Sequence, residues 1–334
     1  MKQATFFWPC LKQLLKVGYY LNKQCRITSA SLLQMILQKL CIYYVSSLMF
    51  LTSTIQLLRF HFSIFLMPLY WFALSQVSQV QPLHAILVFI ILHLLVYPSS
   101  NGYNSYMDRD TQSIGGIKNP LQPTRQLFVV TILMDMLALL LSLIISFYFF
   151  IGILLFILAS RAYSYRGIRL KQYPFVGYLT VIIFQGALVF LIVKHGCSIS
   201  KMIPTAWSAM IGSSLLIGAF YPLTQVYQHE QDAADNVISI SAKLGYRGTF
   251  IFSAIVFVLS MICLAWYFAN NLELDRFLII QICMFPALVY FFWWMRKVFQ
   301  DVTAANFKNT MTMNLVGSLC SNAAFLTILI MDKF

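Results

Sequence analysis

Residues 101–116 read NGYNSYMDRDTQSIGG, and they follow directly on an apolar run, HAILVFIILHLLVYPSS, at 84–100. Amides and two carboxylates therefore begin where a segment of nearly membrane-spanning length ends. Ionisable groups at the edge of the hydrocarbon are costly, and they usually mark a functional site. The boundary at residue 101 thus indicates a polar site at the surface of a membrane bundle.

The composition is that of a membrane protein, because 60% of the 334 residues are apolar and only 10% are charged. Soluble domains carry about 25% charged residues. Hydropathy predicts an all-α, polytopic bundle of nine transmembrane helices. The predicted spans are 60–80, 84–100, 126–146, 147–161, 174–194, 205–223, 248–268, 276–295 and 311–331.

The net charge of +13 does not indicate nucleic-acid binding, because the basic residues are spread over the loops between apolar segments. With a cytoplasmic N-terminus, 19 Lys and Arg residues fall inside and 4 outside. The positive-inside rule therefore places the N-terminus and the loops after helices 2 and 6 in the cytoplasm. The simplest location is the cytoplasmic membrane of a bacterium, with an organelle membrane as the alternative.

The chain divides into a basic N-terminal extension, 1–54, and a transmembrane domain, 55–334. Within this boundary region, the segment CIYYVSSLMFLTSTIQLL at 41–58 is apolar enough to form an extra span. An interfacial helix that continues from a basic, amphipathic start is the other interpretation. We favour the interfacial helix, because an extra span would contradict the distribution of Lys and Arg unless the N-terminus were outside.

Two of the predicted inside loops hold five of the ten acidic residues. The first loop carries Asn101, Asn104, Asp108 and Gln112, at spacings of three, four and four residues. The second carries Gln225, Gln228, Asp232 and Asp235, at spacings of three, four and three residues. At 3.6 residues per turn, each series would lie on one face of a helix. Two helix ends are therefore predicted to present matching columns of amides that finish in carboxylates.

Carboxylate and amide oxygens are the hard ligands that Mg²⁺ prefers, and Mg²⁺ commonly bridges one or two carboxylates to substrate phosphates. Two facing columns could hold two Mg²⁺ ions with a diphosphate between them. Lys118, Arg125 and Lys171 follow in the inside loops, and with Asn101 they are the candidate diphosphate contacts. Stabilisation of a departing diphosphate is the chemistry that this arrangement predicts.

Other polar residues have a structural interpretation. Arg161, Arg166 and Arg169 are expected to set topology, and His229 is expected to be a wall residue. Asp135, inside helix 3, would face either a partner helix or the cavity, and its position alone leaves both open. Phe184 and Gln185 on helix 5 are candidate pocket residues.

With these residues identified, the chain resembles the UbiA superfamily of membrane prenyltransferases. The family's Asp-rich motifs, roughly NxxxDxxxD and DxxxD, appear as Asn104-SYM-Asp108-RDT-Gln112 and Gln228-HEQ-Asp232. The segment YSYRGIRLKQYP is similar to the family's basic loop after helix 4, with Lys171 at its basic position. The similarity covers about residues 55–331.

The resemblance implies a central cavity that opens to the cytoplasmic side and transfer of a prenyl group from a polyprenyl diphosphate. It also implies Mg²⁺ as cofactor and a small lipophilic acceptor, often aromatic, within the lipid bilayer. The implied catalytic residues are Asp108, Asp232 and Lys171. The implied metal and cofactor ligands are Asn104, Asp108, Gln112, Gln228 and Asp232, and Asp110 and Glu230 beside them are further metal candidates.

The motifs depart from the family pattern at two positions. Gln112 and Gln228 stand where the family generally has Asp, so two carboxylates have become uncharged amides. Asp110 and Glu230, each two residues from a motif position, are candidates to compensate. The alternative function is therefore a non-catalytic prenyl-diphosphate-binding protein or a transporter. A CDP-alcohol phosphatidyltransferase is set aside, because its single-stretch acidic motif has no match.

Overall fold

The computed structural model describes residues 51–201 and 206–333, and within these ranges it is helical, with no β-strand. We number the helices in chain order. They are α1 (Leu51–Phe65), α2 (Met67–Ser75), α3 (Pro82–Asp108), α4 (Arg125–Ile145), α5 (Phe147–Ser164), α6 (Pro174–Cys197), α7 (Trp207–Ala234), α8 (Ile240–Asn270), α9 (Leu274–Gln300) and α10 (Phe307–Lys333). Residues 53–334 form one compact unit.

The helices confirm the predicted polytopic membrane fold. In the described part of the chain, eight helices are long and apolar enough to cross a membrane. The count reaches nine if α1 and α2, which are bent by 43° at Leu66, form one broken span. Residues 1–50 of the predicted extension 1–54, and with them residues 41–50 of segment 41–58, lie outside the described residues.

Local sequence signals set the ends of α3, which is longer than the predicted span 84–100. Pro82 occupies the first turn, where a missing N–H costs nothing, and the side chain of Gln81 accepts a hydrogen bond from the His84 N–H. At the other end, Arg109 adopts a left-handed conformation with φ of 55°. The helix therefore stops directly after Asp108, and the chain turns away from the helix axis.

The helices close a ring around a central cavity. The pairs α3 with α4, α4 with α5, α6 with α7, α7 with α8, α8 with α9, and α9 with α10 pack against each other. Helix α5 also packs against α6, and α1 packs against both α3 and α10, which closes the ring. Helix α2 packs against α10 and the C-terminal part of α6. The outer faces expose large apolar side chains, as on α4 at Leu133, Leu140 and Ile144. Such apolar outer faces are suited to lipid.

Asp135 faces partner helices. Its carboxylate accepts two hydrogen bonds from Arg161 on α5 and one, at 2.6 Å, from the Ser99 hydroxyl on α3. The Arg161 guanidinium also lies 3.9 Å from the centre of the Tyr103 ring. A charged side chain inside a membrane bundle is costly unless a partner of opposite charge pairs with it, as Arg161 does with Asp135. The cluster of Ser99, Tyr103, Asp135 and Arg161 therefore joins α3, α4 and α5.

Candidate functional site

A cavity of about 320 Å³ lies at the centre of the ring. Its walls come from α1–α3, α5–α8 and α10, whereas α4 and α9 contribute none of the lining residues that the structure describes. One part of the wall is polar and includes Asp108, Asp232 and Lys171. Elsewhere the wall is apolar, where Phe72 and Phe325 stack with ring centres 4.8 Å apart. A ligand with a charged head and an apolar tail would match this division.

The last turn of α3 carries the first acidic column into the cavity. The side chain of Asp108 is only 5% exposed, and its Oδ2 atom lies 2.5 Å from Lys171 Nζ. Its Oδ1 atom lies 3.7 Å from the Arg169 guanidinium, and it has no hydrogen bond within the described residues. One turn earlier, Asn104 Oδ1 accepts a hydrogen bond of 2.8 Å from Ser164.

The second acidic column has a different local geometry. Its first half is a 3₁₀ helix, Tyr221–Gln228, which has about three residues per turn. The three-residue spacing of Gln225 and Gln228 therefore puts both on one face, and both line the cavity. A short α-helix, His229–Ala234, follows and carries Asp232 to the same polar wall.

The loop between α5 and α6 connects the two acidic columns. Arg169, which is buried, donates hydrogen bonds to the carboxylate and the backbone carbonyl of Asp235 and lies beside Asp108. Arg166 donates to the Met107 carbonyl at 2.8 Å and lies 3.7 Å from Asp235. From the sequence, we predicted only that these arginines set the membrane topology, because a basic loop does not indicate which of its side chains point inward.

Asp110 lies just beyond the end of α3 and turns back to the cavity. Its carboxylate accepts a hydrogen bond from Gln231 on the second loop. Burial and the neighbouring charge of Asp108 raise the pKa of Asp110 to about 6, and the charges of Lys171 and Arg59 oppose that rise. The charges of Asp108, Asp110 and Lys171 all act on the Asp232 carboxylate. Three carboxylates thus share one wall.

Arg59 is a buried cation on α1 that the sequence counted only as an inside charge. It lines the cavity, and its guanidinium donates to the carbonyls of Asn101 and Gly115 at 3.2 and 3.4 Å. Gly115 packs closely against the side chains of Phe62 and Arg59. Gly116 has a φ of 81°, a backbone conformation that favours glycine. The glycine turn therefore folds against α1 at the polar wall.

The structure brings together most of the predicted site residues. The cavity lining includes Asn101, Asn104, Asp108, Asp110, Lys171, Gln228 and Asp232, together with Phe184 and Gln185. Gln112, Lys118, Arg125 and Glu230 are exposed and are not lining residues. Gln112 departs from the predicted helical face because α3 ends at Asp108. His229, predicted to be a wall residue, is not among the lining residues: its ring is hydrogen-bonded to Ser241 and stacks on Tyr246.

The polar wall fits a divalent cation that is shared with a phosphate ligand. No group of three or more His, Cys, Asp or Glu side chains within residues 51–201 and 206–333 converges as a closed metal site. The donors present are hard oxygens, and the buried Asp108 Oδ1 atom lacks a hydrogen bond from the described residues. Mg²⁺ is usually held by one or two carboxylates plus phosphate oxygens, which suits this open arrangement.

Fold and site together define a membrane-embedded helical bundle with a cation-flanked, oxygen-rich pocket at one part of an otherwise apolar cavity. The chain belongs to the UbiA prenyltransferase family, whose model matches residues 65–316. Members of this family are prenyltransferases and integral membrane proteins.

Solved structures share the fold at low sequence identity. A UbiA homologue from Archaeoglobus fulgidus bound to dimethylallyl diphosphate (DMAPP) and Mg²⁺ is 17% identical, with a TM-score of 0.63 over 83% of this chain and 99% of that chain. The same homologue bound to geranyl diphosphate (GPP) and Mg²⁺ is 17% identical over the same shares, with a TM-score of 0.61. A digeranylgeranylglyceryl phosphate synthase structure is 18% identical, with a TM-score of 0.54 over 84% and 97%. No curated protein matches by sequence.

Proposed function

We propose that this protein transfers a prenyl group from an allylic diphosphate to a small lipophilic acceptor, with Mg²⁺ as cofactor. The observation that carries the proposal is that both acidic columns line the polar wall of an apolar cavity together with the α5–α6 loop, whose Lys171 and Arg169 lie beside Asp108. Relatives of the same fold bind dimethylallyl or geranyl diphosphate together with Mg²⁺, which supports this ligand class.

The diphosphate would lie between the acidic columns and the cations of the polar wall. Asn104, Asp108, Asp110 and Asp232 would hold Mg²⁺, which supplies Lewis-acid stabilisation of the leaving diphosphate. Lys171 would contact a diphosphate oxygen directly, because it lines the cavity beside Asp108. Arg59 would add a second positive charge, while Asn101 is held at this wall by its backbone contact with Arg59.

Four of the predicted residues are left out of this assignment. Gln112, Lys118, Arg125 and Glu230 do not line the cavity, so Asp110 is the acid that offsets the amide at Gln112. Gln228 keeps its place in the wall, where its amide oxygen can contribute a neutral ligand.

In the reaction, the allylic carbon–oxygen bond breaks, and the electron pair leaves with the diphosphate. The acceptor donates an electron pair to the allylic carbon and then loses a proton. The tyrosine rings at 163 and 221, whose hydroxyls are hydrogen-bonded to each other, line the cavity with Phe156 and Phe184. Aromatic faces stabilise a cation, and the apolar wall excludes the water that would trap it.

The basic-residue distribution of 19 inside and 4 outside supports a cytoplasmic opening of the polar wall. In that orientation a soluble prenyl diphosphate would enter from the cytoplasm with its tail directed into the bilayer. Pyrophosphate would leave by the same opening.

The test compares the purified wild-type chain with Asp108→Asn, Asp232→Asn and two matched variants, Gln112→Ala and Glu230→Ala. Each is incubated with Mg²⁺, geranyl diphosphate and a panel of phenolic acceptors, and pyrophosphate release is measured. Loss of one transition-state interaction of this kind costs about 10²–10³ in rate, so we expect that loss in the Asp variants. The matched variants should stay within about threefold of wild type, since surface substitutions have small effects.

Two results would change the assignment. Unreduced pyrophosphate release in Asp108→Asn and Asp232→Asn would remove these residues from the site. Mg²⁺-dependent binding of geranyl thiolodiphosphate, with no release of pyrophosphate for any acceptor, would instead support the binding-protein or transporter alternative.

A further inference from the structure

Three polar groups in the cavity wall are not assigned to the proposed diphosphate site. The Asn314 amide nitrogen, the Gln225 amide oxygen and the Tyr227 hydroxyl are buried, and none has a hydrogen-bond partner among the described residues. All three residues line the cavity, and Asn314 and Gln225 are only 7% and 9% exposed. A buried polar group without a partner costs free energy, so a ligand that pairs with these groups would be bound selectively.

These groups belong to one wall. Helix α10 packs on the 3₁₀ segment Tyr221–Gln228, where Tyr227 contacts Phe307 edge to face with ring centres 5.3 Å apart. Phe220, just before that segment, packs over Gly317 so tightly that a Cβ there would clash with its ring. Asn314 lies on α10 between these two contacts. The donor on α10 and the acceptor on the 3₁₀ segment therefore flank the same part of the cavity.

The charges around the cavity disfavour an anionic ligand on this wall. Among the described lining residues the cations are Arg59 and Lys171, and the acids are Asp108, Asp110, Asp232 and Asp235. Lys171 is paired with Asp108, and Arg59 donates to two backbone carbonyls at the polar wall. In the proposed function both cations face the diphosphate, so once the diphosphate is bound, a carboxylate buried against Asn314 and Gln225 would have no cation of its own, and an unpaired buried charge is costly.

We propose that the wall formed by Asn314, Gln225 and Tyr227 is the acceptor subsite, and that it takes an uncharged acceptor bearing both a carbonyl and a hydroxyl group. The carbonyl accepts from Asn314, and the hydroxyl donates to the amide oxygen of Gln225, whose amide nitrogen donates to the Tyr221 hydroxyl at 2.8 Å. This subsite rests on the proposed prenyl transfer, since it assigns the second substrate of that reaction.

The experiment uses two probes with the same ring, methyl 4-hydroxybenzoate, which is neutral, and 4-hydroxybenzoate, which is an anion. Equilibrium binding is measured on the full-length chain in detergent, saturated with Mg²⁺ and geranyl thiolodiphosphate. We expect the ester to bind at least tenfold more tightly than the acid. Asn314→Leu and Gln225→Leu should each weaken ester binding by roughly tenfold, as loss of a paired buried polar group predicts.

Geranyl thiolodiphosphate affinity is the control for folding and should be unchanged in both variants. Asn271→Leu, at an exposed asparagine outside the cavity, should leave ester binding unchanged. Equal or tighter binding of the acid, unchanged ester binding in both Leu variants, or no binding of either probe would overturn the acceptor subsite. Failure of geranyl thiolodiphosphate to bind wild type would instead contradict the proposed function.

Discussion

Arg169 fixes the distance between the two acidic loops, because its guanidinium lies beside Asp108 and is bonded to Asp235. A planar guanidinium can serve two carboxylates at once, whereas a lysine ammonium is a single point charge. The backbone at Arg169 is also left-handed, with φ of 49°, so a non-glycine residue is held there at some cost. The side-chain contacts are the evident reason for retaining that conformation.

The first residue-scale prediction concerns this bridge. Arg169→Lys should weaken Mg²⁺-dependent binding of geranyl thiolodiphosphate by roughly tenfold, about 1.4 kcal/mol, because the bridge is lost while the charge remains. Arg166→Lys is the matched control, since Arg166 is half exposed in its ion pair with Asp235. Isothermal titration of both variants would measure the effect, and equal affinities for Arg169→Lys and wild type would contradict the bridging role.

The spacing of the polar residues in the sequence was enough to predict the shared face of those that lie on a regular helix. Asn101, Asn104 and Asp108 belong to the last turns of α3, so the three- and four-residue periods place them correctly on one face. The position of Gln112 was not predicted correctly, because a spacing of three or four residues does not indicate where the helix ends. Arg59 and Arg169 were missed for another reason: their inward direction depends on long-range packing that no local pattern encodes.

At the scale of helices, the ion pair of Asp135 and Arg161 holds α4 against α5, and Ser99 adds α3. Hydropathy located these spans, since long apolar segments are the strongest local signal in a membrane chain. The partner of Asp135 was not predictable, because the sequence does not state which helices are neighbours. The bend between α1 and α2 also has no sequence signal beyond Pro68 in the first turn of α2.

We expect Asp135→Asn to lower the free energy of unfolding by roughly 3 kcal/mol, because it leaves the Arg161 charge buried without its partner. The double variant Asp135→Leu/Arg161→Leu should recover most of that loss, since neither buried charge remains. Unfolding by sodium dodecyl sulfate would measure both. Asp275→Asn is the matched control, from an exposed ion pair with Arg276. A double variant less stable than Asp135→Asn would contradict this account.

For the whole molecule, the ring of helices makes a cavity with chemically distinct walls. The carboxylates and cations gather where α3, α7 and the α5–α6 loop meet, and the apolar wall reaches Phe325 on α10. Asn314 and Phe325 are eleven residues apart, or about 16 Å along the helix axis. The same helix therefore carries a polar group and, further along, an aromatic group in the cavity wall, and in the proposed function these would face the acceptor and the prenyl chain.

The central claim is that the two acidic loops form one cation–diphosphate site. Its most direct test is a structure of the full-length chain with Mn²⁺ in place of Mg²⁺ and geranyl thiolodiphosphate, in which the anomalous signal locates the metal. We expect Mn²⁺ between Asp108 and Asp232, with the diphosphate against Lys171 and the geranyl chain in the apolar part of the cavity. Mn²⁺ bound away from both aspartates, or a diphosphate outside the cavity, would contradict the claim.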